Sequence, residues 1–257
     1  MIRVVRSWVI VLAAWAALLG VWELIARLNE HPGTLWPTPR TVFATIVDNP
    51  QVFWQNAEVT LKEAALGFAY GVVLAVTLAV VAQTFPLLRD NLYRLSLTLY
   101  SIPLIALAPV LVSWVGPGLW TKVIIALLAS FFPVFVNTTQ ALRVTDQKAI
   151  ELMSVFGASG RQTLVRVRLP FALPAVIASF KIAAPAAIIG AMLAEWVGAD
   201  RGLGLLMLFS MFSFKVPQLW ATLIVATALS LAAYYLFEFV GRLLFPWHGS
   251  ARQTGVS

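Results

Sequence analysis

Long uncharged apolar runs constrain this chain more than any other feature. Residues 64–82 (19 residues), 95–115 (21), 123–142 (20) and 219–237 (19) contain no Asp, Glu, Lys or Arg, and 8–25 (18) contains only Glu23. A hydrocarbon core about 30 Å thick needs about 20 apolar residues at a helical rise of about 1.5 Å each. Each run therefore reads as a transmembrane helix, which satisfies its backbone polar groups within one segment. A sixth stretch, 169–194, is long enough but holds Lys181. Only 11% of the residues are charged, against about a quarter in soluble domains. The expected fold class is an all-α polytopic membrane protein, a single domain over 1–257 with six spans near 8–28, 60–84, 93–115, 121–142, 169–194 and 217–240.

Arg3 and Arg6 precede the first run, as in a secretory leader. The small-residue triplet Ala14-Trp15-Ala16 lies inside the run rather than after it, so a retained anchor is expected. With six spans and an inner N-terminus, the inner segments hold 11 basic residues: Arg3, Arg6, Arg89, Arg94, Arg143, Lys148, Arg161, Arg166, Arg168, Arg242 and Arg252. The outer segments and helix ends hold 6, namely Arg27, Arg40, Lys62, Lys122, Arg201 and Lys215. That bias places both termini in the cytoplasm. It also accounts for the net charge of +7, so the charge is no argument for nucleic acid as a partner. There is no cysteine, and His31 and His248 are too few and too distant for a metal centre. No Ser/His/Asp grouping suggests a catalytic site.

The connections have their own grammar. In the first outer segment, HPGTLWPTP breaks any helix and TVFATIVDNP can form one short amphipathic helix closed by Pro50. The fifth connection carries GLGLLMLFSMF, apolar but too short to span, which suits an interfacial or re-entrant helix. Gly67 and Gly71 lie one turn apart, permitting close helix approach. Pro103, Pro109, Pro133, Pro174 and Pro185 fall at membrane depth, where each removes a backbone donor.

The inner segment 143–168 reads as helix, turn, helix. Thr145 or Asp146 can cap DQKAIELMSVF, whose Ile150, Met153 and Phe156 are spaced to share one side. Gly157 supplies a left-handed stop, and Ser159 with Gln162 forms a capping box that opens RQTLVRVR. Pro170 leads into the fifth span.

Glu151, followed six positions on by Gly157-Ala158 and then by Leu169-Pro170, resembles the EAA loop of ABC importer permeases. LWPTPRTVFATIV, IPLIALAPVLVSWVGPG, FFPVFVNTTQALR and AEWVGADRGLG extend the likeness over nearly the whole chain, and the set is similar to the permeases of nitrate-, sulfonate- and taurine-type importers. The chain departs from the pattern at Leu152 and Met153, where the family has two alanines.

The resemblance implies a type I importer permease fold in a bacterial cytoplasmic (inner) membrane, working as a homodimer with two cytoplasmic ABC ATPase subunits and an extracytoplasmic substrate-binding protein. Glu151, Leu152, Met153, Phe156, Gly157, Ala158, Leu169 and Pro170 would then form the ATPase-coupling element. ATP and Mg would be bound by the partner ATPase. No cofactor is expected on this chain, which lacks a G-x-x-x-x-G-K-[ST] phosphate loop. The implied function is alternating access for a small anion or a small organic molecule such as a sulfonate, nitrate or a pyrimidine. Lys181, at membrane depth, is a candidate pathway residue, and Glu195, Gly198, Arg201, Gly202 and Gly204 are candidates for an outer gate or a tight turn. The alternative class is a secondary transporter, which would need an acid or ion site near mid-membrane, and no acidic residue falls there.

Overall fold

The computed structural model describes residues 2–29 and 34–246, with the side chains of 2–9, 11, 12 and 86 left aside. His31, His248 and Arg252 lie outside the described residues, as do the side chains of Arg3 and Arg6. The described chain is helical, without strands: α1 (Ile2–Leu28), α2 (Pro39–Asp48), α3 (Pro50–Thr84), α4 (Pro86–Tyr100), α5 (Leu104–Val115), α6 (Leu119–Arg143), α7 (Gln147–Val155), α8 (Gly160–Thr163), α9 (Leu169–Glu195), α10 (Leu203–Phe212) and α11 (Val216–Leu244). Among the described residues four helices are long and apolar enough to cross a membrane, and α4 with α5 makes a fifth if that bent pair is one span.

Residues 93–115 do not form the single rod expected. The chain turns at Ser101-Ile102-Pro103, and the helices on either side diverge by 92°. Pro103 cannot donate into the preceding turn, and its ring pushes Ile102 out of helical conformation. Pro109, by contrast, is absorbed within α5, and Pro133, Pro174 and Pro185 lie inside α6 and α9. Pro50 does not merely close α2: it takes the first position of α3, which begins ten residues before the span expected at 60.

Helix α6 is the centre of the bundle. In its apolar window 56% of residues are buried, against 6% for α11, so α6 is wrapped by protein while α11 turns most of its surface outward. It is flanked by α3 and α9. Gly67 and Gly71 bring α3 onto α6: a methyl group at Gly67 would strike Ala126, and one at Gly71 would strike the Ser130 hydroxyl. Gly190 does the same for α9, where a Cβ would come within 3.1 Å of the Ala126 Cα. Below these contacts Ala75, Ala79, Phe131, Phe135, Leu142, Ala172 and Ala183 form one buried cluster joining the three helices. Gly71→Val is accordingly expected to destabilise the bundle by about 1–3 kcal/mol through overpacking, checked by thermal unfolding in detergent. An unchanged Tm would mean that α3 and α6 separate without cost.

One end of the molecule carries an aromatic layer. Trp22 stacks on Trp220 at 5.1 Å, and Trp36 leans on the same ring at 5.6 Å. The two indoles reach back to the chain, Trp22 to Pro37 O at 3.0 Å and Trp220 to Leu35 O at 3.2 Å. Amphipathic rings with satisfied N–H groups suit a membrane–water interface. The same end holds α2, whose Val42 packs with Phe53 and Ala221.

Candidate functional site

At the other end, α7 projects as a short arm. Asp146 caps it by accepting from Lys148 N at 3.0 Å. Its exit is a two-bond left-handed stop: Ala158 N donates to Met153 O and Gly157 N to Ser154 O, both at 3.0 Å, with Gly157 at φ 69°. Ser159 then opens α8 reciprocally, its N donating to Gln162 Oε1 at 2.8 Å while its hydroxyl accepts from Gln162 N at 3.3 Å. The turn geometry is therefore over-determined by local hydrogen bonds.

The exposed face of this arm differs from the one expected. Leu152, Val155 and Phe156 stand outward, Phe156 at 76% exposure, whereas Ile150 and Met153 are half-buried. Spacing alone gave Ile150, Met153 and Phe156 a common side, but the packing of the arm's root decides which apolar residues remain free. That root is pinned. Thr145 and Leu164 are buried, the Thr145 hydroxyl donates to Leu142 O at 3.3 Å, and Arg168 Nη1 donates to the same carbonyl at 3.4 Å. Glu151 and Gly157 are exposed, Ala158 is half-buried, Leu169 packs against the core and Pro170 is exposed.

No break separates α8 from α9. After α8 the chain makes one π-helical turn over Leu164–Arg168 and continues directly into α9, so Gly160–Glu195 is a single helix of 36 residues. A π turn inserts an extra residue and rotates every following side chain relative to the preceding ones. Nothing in the residue pattern announced it.

At the far end of α9 the side chains converge. Glu195 is fully buried and accepts from Thr60 Oγ1 at 2.6 Å and from Gly204 N at 2.5 Å. A carboxylate over the first amides of α10 satisfies donors that have no partner within the helix. Gly202 N donates to Asn56 Oδ1 and Leu203 N to Thr60 Oγ1, each at 2.9 Å. Glu63, also buried, sets its carboxyl against that of Glu195, and its Oε2 has no hydrogen-bond partner. Lys122, at 4% exposure, donates to Pro117 O and, at 3.0 Å, to Gly198 O. Asn56, Thr60 and Glu63 of α3, Lys122 of α6 and Glu195 of α9 thus clamp the loop that begins α10. Arg201 is exposed and stands outside the clamp.

Of the outer residues singled out in the sequence, Glu195, Gly198, Gly202 and Gly204 come together. The sequence pattern did not point to Asn56, Thr60, Glu63 and Lys122, which supply the other half. Glu63 and Lys122 border apolar runs and read there as helix-end charges. Lys122→Met is expected to cost about 1.5–3 kcal/mol, because two loop carbonyls lose a charged donor. Thermal unfolding checks it, and retention of the full Tm would show that water replaces the ammonium there.

Lys181 stands apart from both ends. It is half-buried on α9 with its ammonium 6.0 Å from the Tyr234 ring centroid of α11, a cation–aromatic approach within one subunit. Among the described residues no group of three or more His, Cys, Asp or Glu could hold a metal ion.

Comparison with known proteins fits this architecture. The profile for binding-protein-dependent transport system inner membrane components matches residues 71–248. The formylaminopyrimidine transport permease ThiX of Halalkalibacterium halodurans is 33% identical over 231 residues, covering 90% of this chain and 92% of that protein. The riboflavin transport permease RibX of Chloroflexus aurantiacus is 29% identical over 91% of this chain and 88% of its own length. The taurine permease TauC of Escherichia coli (strain K12) is 26% identical over 92% and 89%. Among solved structures, the inward-facing MetNI methionine ABC transporter superposes with a TM-score of 0.69 at 17% identity, covering 76% of this chain and 97% of that one, which is a likeness of fold. The chain belongs to the binding-protein-dependent transport system inner membrane components, among the ABC transporter permeases of the sulfonate- and taurine-type family.

Proposed function

We propose that this chain forms the translocation pathway of an ATP-driven importer. It crosses a bacterial inner membrane six times, with α1 as the first span, the α4–α5 pair as the third and both termini in the cytoplasm. Two copies pair, two ABC ATPase subunits dock on their inner arms, and a binding protein delivers cargo to the outer face. ATP and Mg reside on the ATPase. ATPase closure moves the two arms and turns the pathway between inward- and outward-facing states. The cargo is a small anion or a small organic molecule, such as a sulfonate, nitrate or a pyrimidine.

The arm α7 carries this reading. It offers Leu152, Val155 and Phe156 outward from a turn held by hydrogen bonds, and its root is tied to the inner end of α6 at Leu142. An exposed apolar face on a rigid support is what a groove in a partner recognises. It can also transmit force, because the hydrogen-bonded turn at 157–159 ties it to α8, which runs unbroken into α9.

The test is co-expression with an ABC ATPase subunit from the same genome. The wild-type permease is expected to co-purify with that ATPase and to transport only with ATP. Phe156→Asp is expected to reduce co-purification about tenfold or more by placing a charge in an apolar contact, while leaving insertion and Tm intact. Uptake driven by an ion gradient without ATP would instead establish a secondary transporter.

A further inference from the structure

The bend between α4 and α5 opens a cavity of about 420 Å³ at mid-bundle, bounded also by α6 and α9. We propose that this cavity binds a planar, uncharged aromatic ring of the transported molecule. The proposal rests on the pathway reading above and narrows its cargo.

Aromatic surface is the first argument. Tyr100, the last residue of α4, stacks on Phe132 of α6 with ring centroids 4.0 Å apart and planes 17° from parallel. Tyr100 is 62% exposed, and both rings line the cavity. Flat π surfaces lying parallel favour a flat partner over a tetrahedral one.

Polar groups supply the second. Asn137 lines the cavity, and its Nδ2 donates to Pro133 O at 2.7 Å while its Oδ1 accepts nothing from the described residues. Pro133 has no N–H to offer the Ala129 carbonyl one turn earlier, and both residues line the same space. Ser96 is buried there too, its hydroxyl donating to Tyr93 O at 2.7 Å. The site therefore presents neutral acceptors, suited to a ring that carries amino or imino hydrogens.

Charge supplies the third. No Lys, Arg, Asp or Glu lines the cavity, and the one cation within α9, Lys181, lies instead over Tyr234. An anion entering this space would lose its water and meet no counter-charge. A neutral ring loses little and gains apolar contact with walls such as Leu104 and Ile189. The volume falls within the range of about 300–1,000 Å³ common to small-molecule sites.

The experiment uses the permease–ATPase complex embedded in nanodiscs, with equilibrium dialysis against 4-amino-2-methylpyrimidine, an isoalloxazine, taurine and nitrate. At least one of the two planar heterocycles is expected to bind, and zwitterionic taurine and anionic nitrate to fail. Tyr100→Ala should raise the Kd about tenfold, Tyr100→Phe should leave it within about twofold, and Asn137→Leu should weaken binding about fivefold or more. ATPase association and Tm should be unchanged in all three variants. Binding of neither heterocycle, binding of taurine or nitrate that depends on Tyr100, or an unchanged Kd in Tyr100→Ala each overturns the proposal. Failure of the wild-type chain to associate with the ATPase would overturn the pathway reading instead, so the two can be told apart.

Discussion

Gly202→Val is expected to prevent this chain from accumulating as a folded protein. Gly202 sits at φ 138°, a conformation that a β-branched residue rarely adopts, and any Cβ there would fall within the Glu195 carboxylate. The substitution thus adds backbone strain of about 1–2 kcal/mol to the displacement of Glu195 from Thr60 and Gly204. Losing those bonds strands a buried carboxylate, at about 3–5 kcal/mol. The amount of monodisperse protein in detergent and its Tm are the measurements. A variant that folds with wild-type Tm and fails only in transport would mean that the loop acts as a moving gate rather than as a clamp.

Gly157→Val tests the same kind of residue in the opposite surroundings. Gly157 also has a positive φ, 69°, but nothing lies within 4 Å of where its Cβ would stand. The cost is conformational and local, about 1–2 kcal/mol, and can be relieved by re-aiming α7. The membrane helices should be indifferent. ATP hydrolysis stimulated by the loaded binding protein is expected to fall about tenfold or more, with permease yield and Tm unchanged. Arg161→Gln, at an exposed position of α8, is expected to stay within about twofold. If the Gly157 variant keeps full stimulated hydrolysis while the Arg161 variant leaves the membrane, the arm is a lipid-surface anchor.

What was legible in the residues was local. The cap at Asp146, the stop at Gly157 and the box of Ser159 with Gln162 each depend on side chains within a few positions of one another, and the folded chain uses all three. The short apolar α10 followed likewise from its length. Partners distant along the chain were not legible: Thr60 meets Glu195 across 135 positions, and Lys122 meets Gly198 across 76. Hydropathy also counts residues without regard to direction, so 93–115 read as one span although Pro103 turns it. For α7, spacing identified an apolar set, but only the burial of its root shows that Leu152 and Val155, rather than Ile150 and Met153, stand outward beside Phe156.

The continuous helix Gly160–Glu195 has an uneven stiffness along its length. Its weak rungs are the π turn at Leu164–Arg168 and the missing donors of Pro170, Pro174 and Pro185. All lie on the inner side of Ala186. Beyond that point the last ten residues have a complete ladder, press on α6 at Gly190 and end in the clamped Glu195. Torque applied through the arm, as proposed, would be spent bending the compliant stretch and would fade before the clamped end. Pro185 ends that stretch, immediately before Ala186 and Ile189 in the cavity wall. On the coupling proposed above, this helix would work as a cantilever fixed at Glu195, shifting the cavity wall while the clamp stays still.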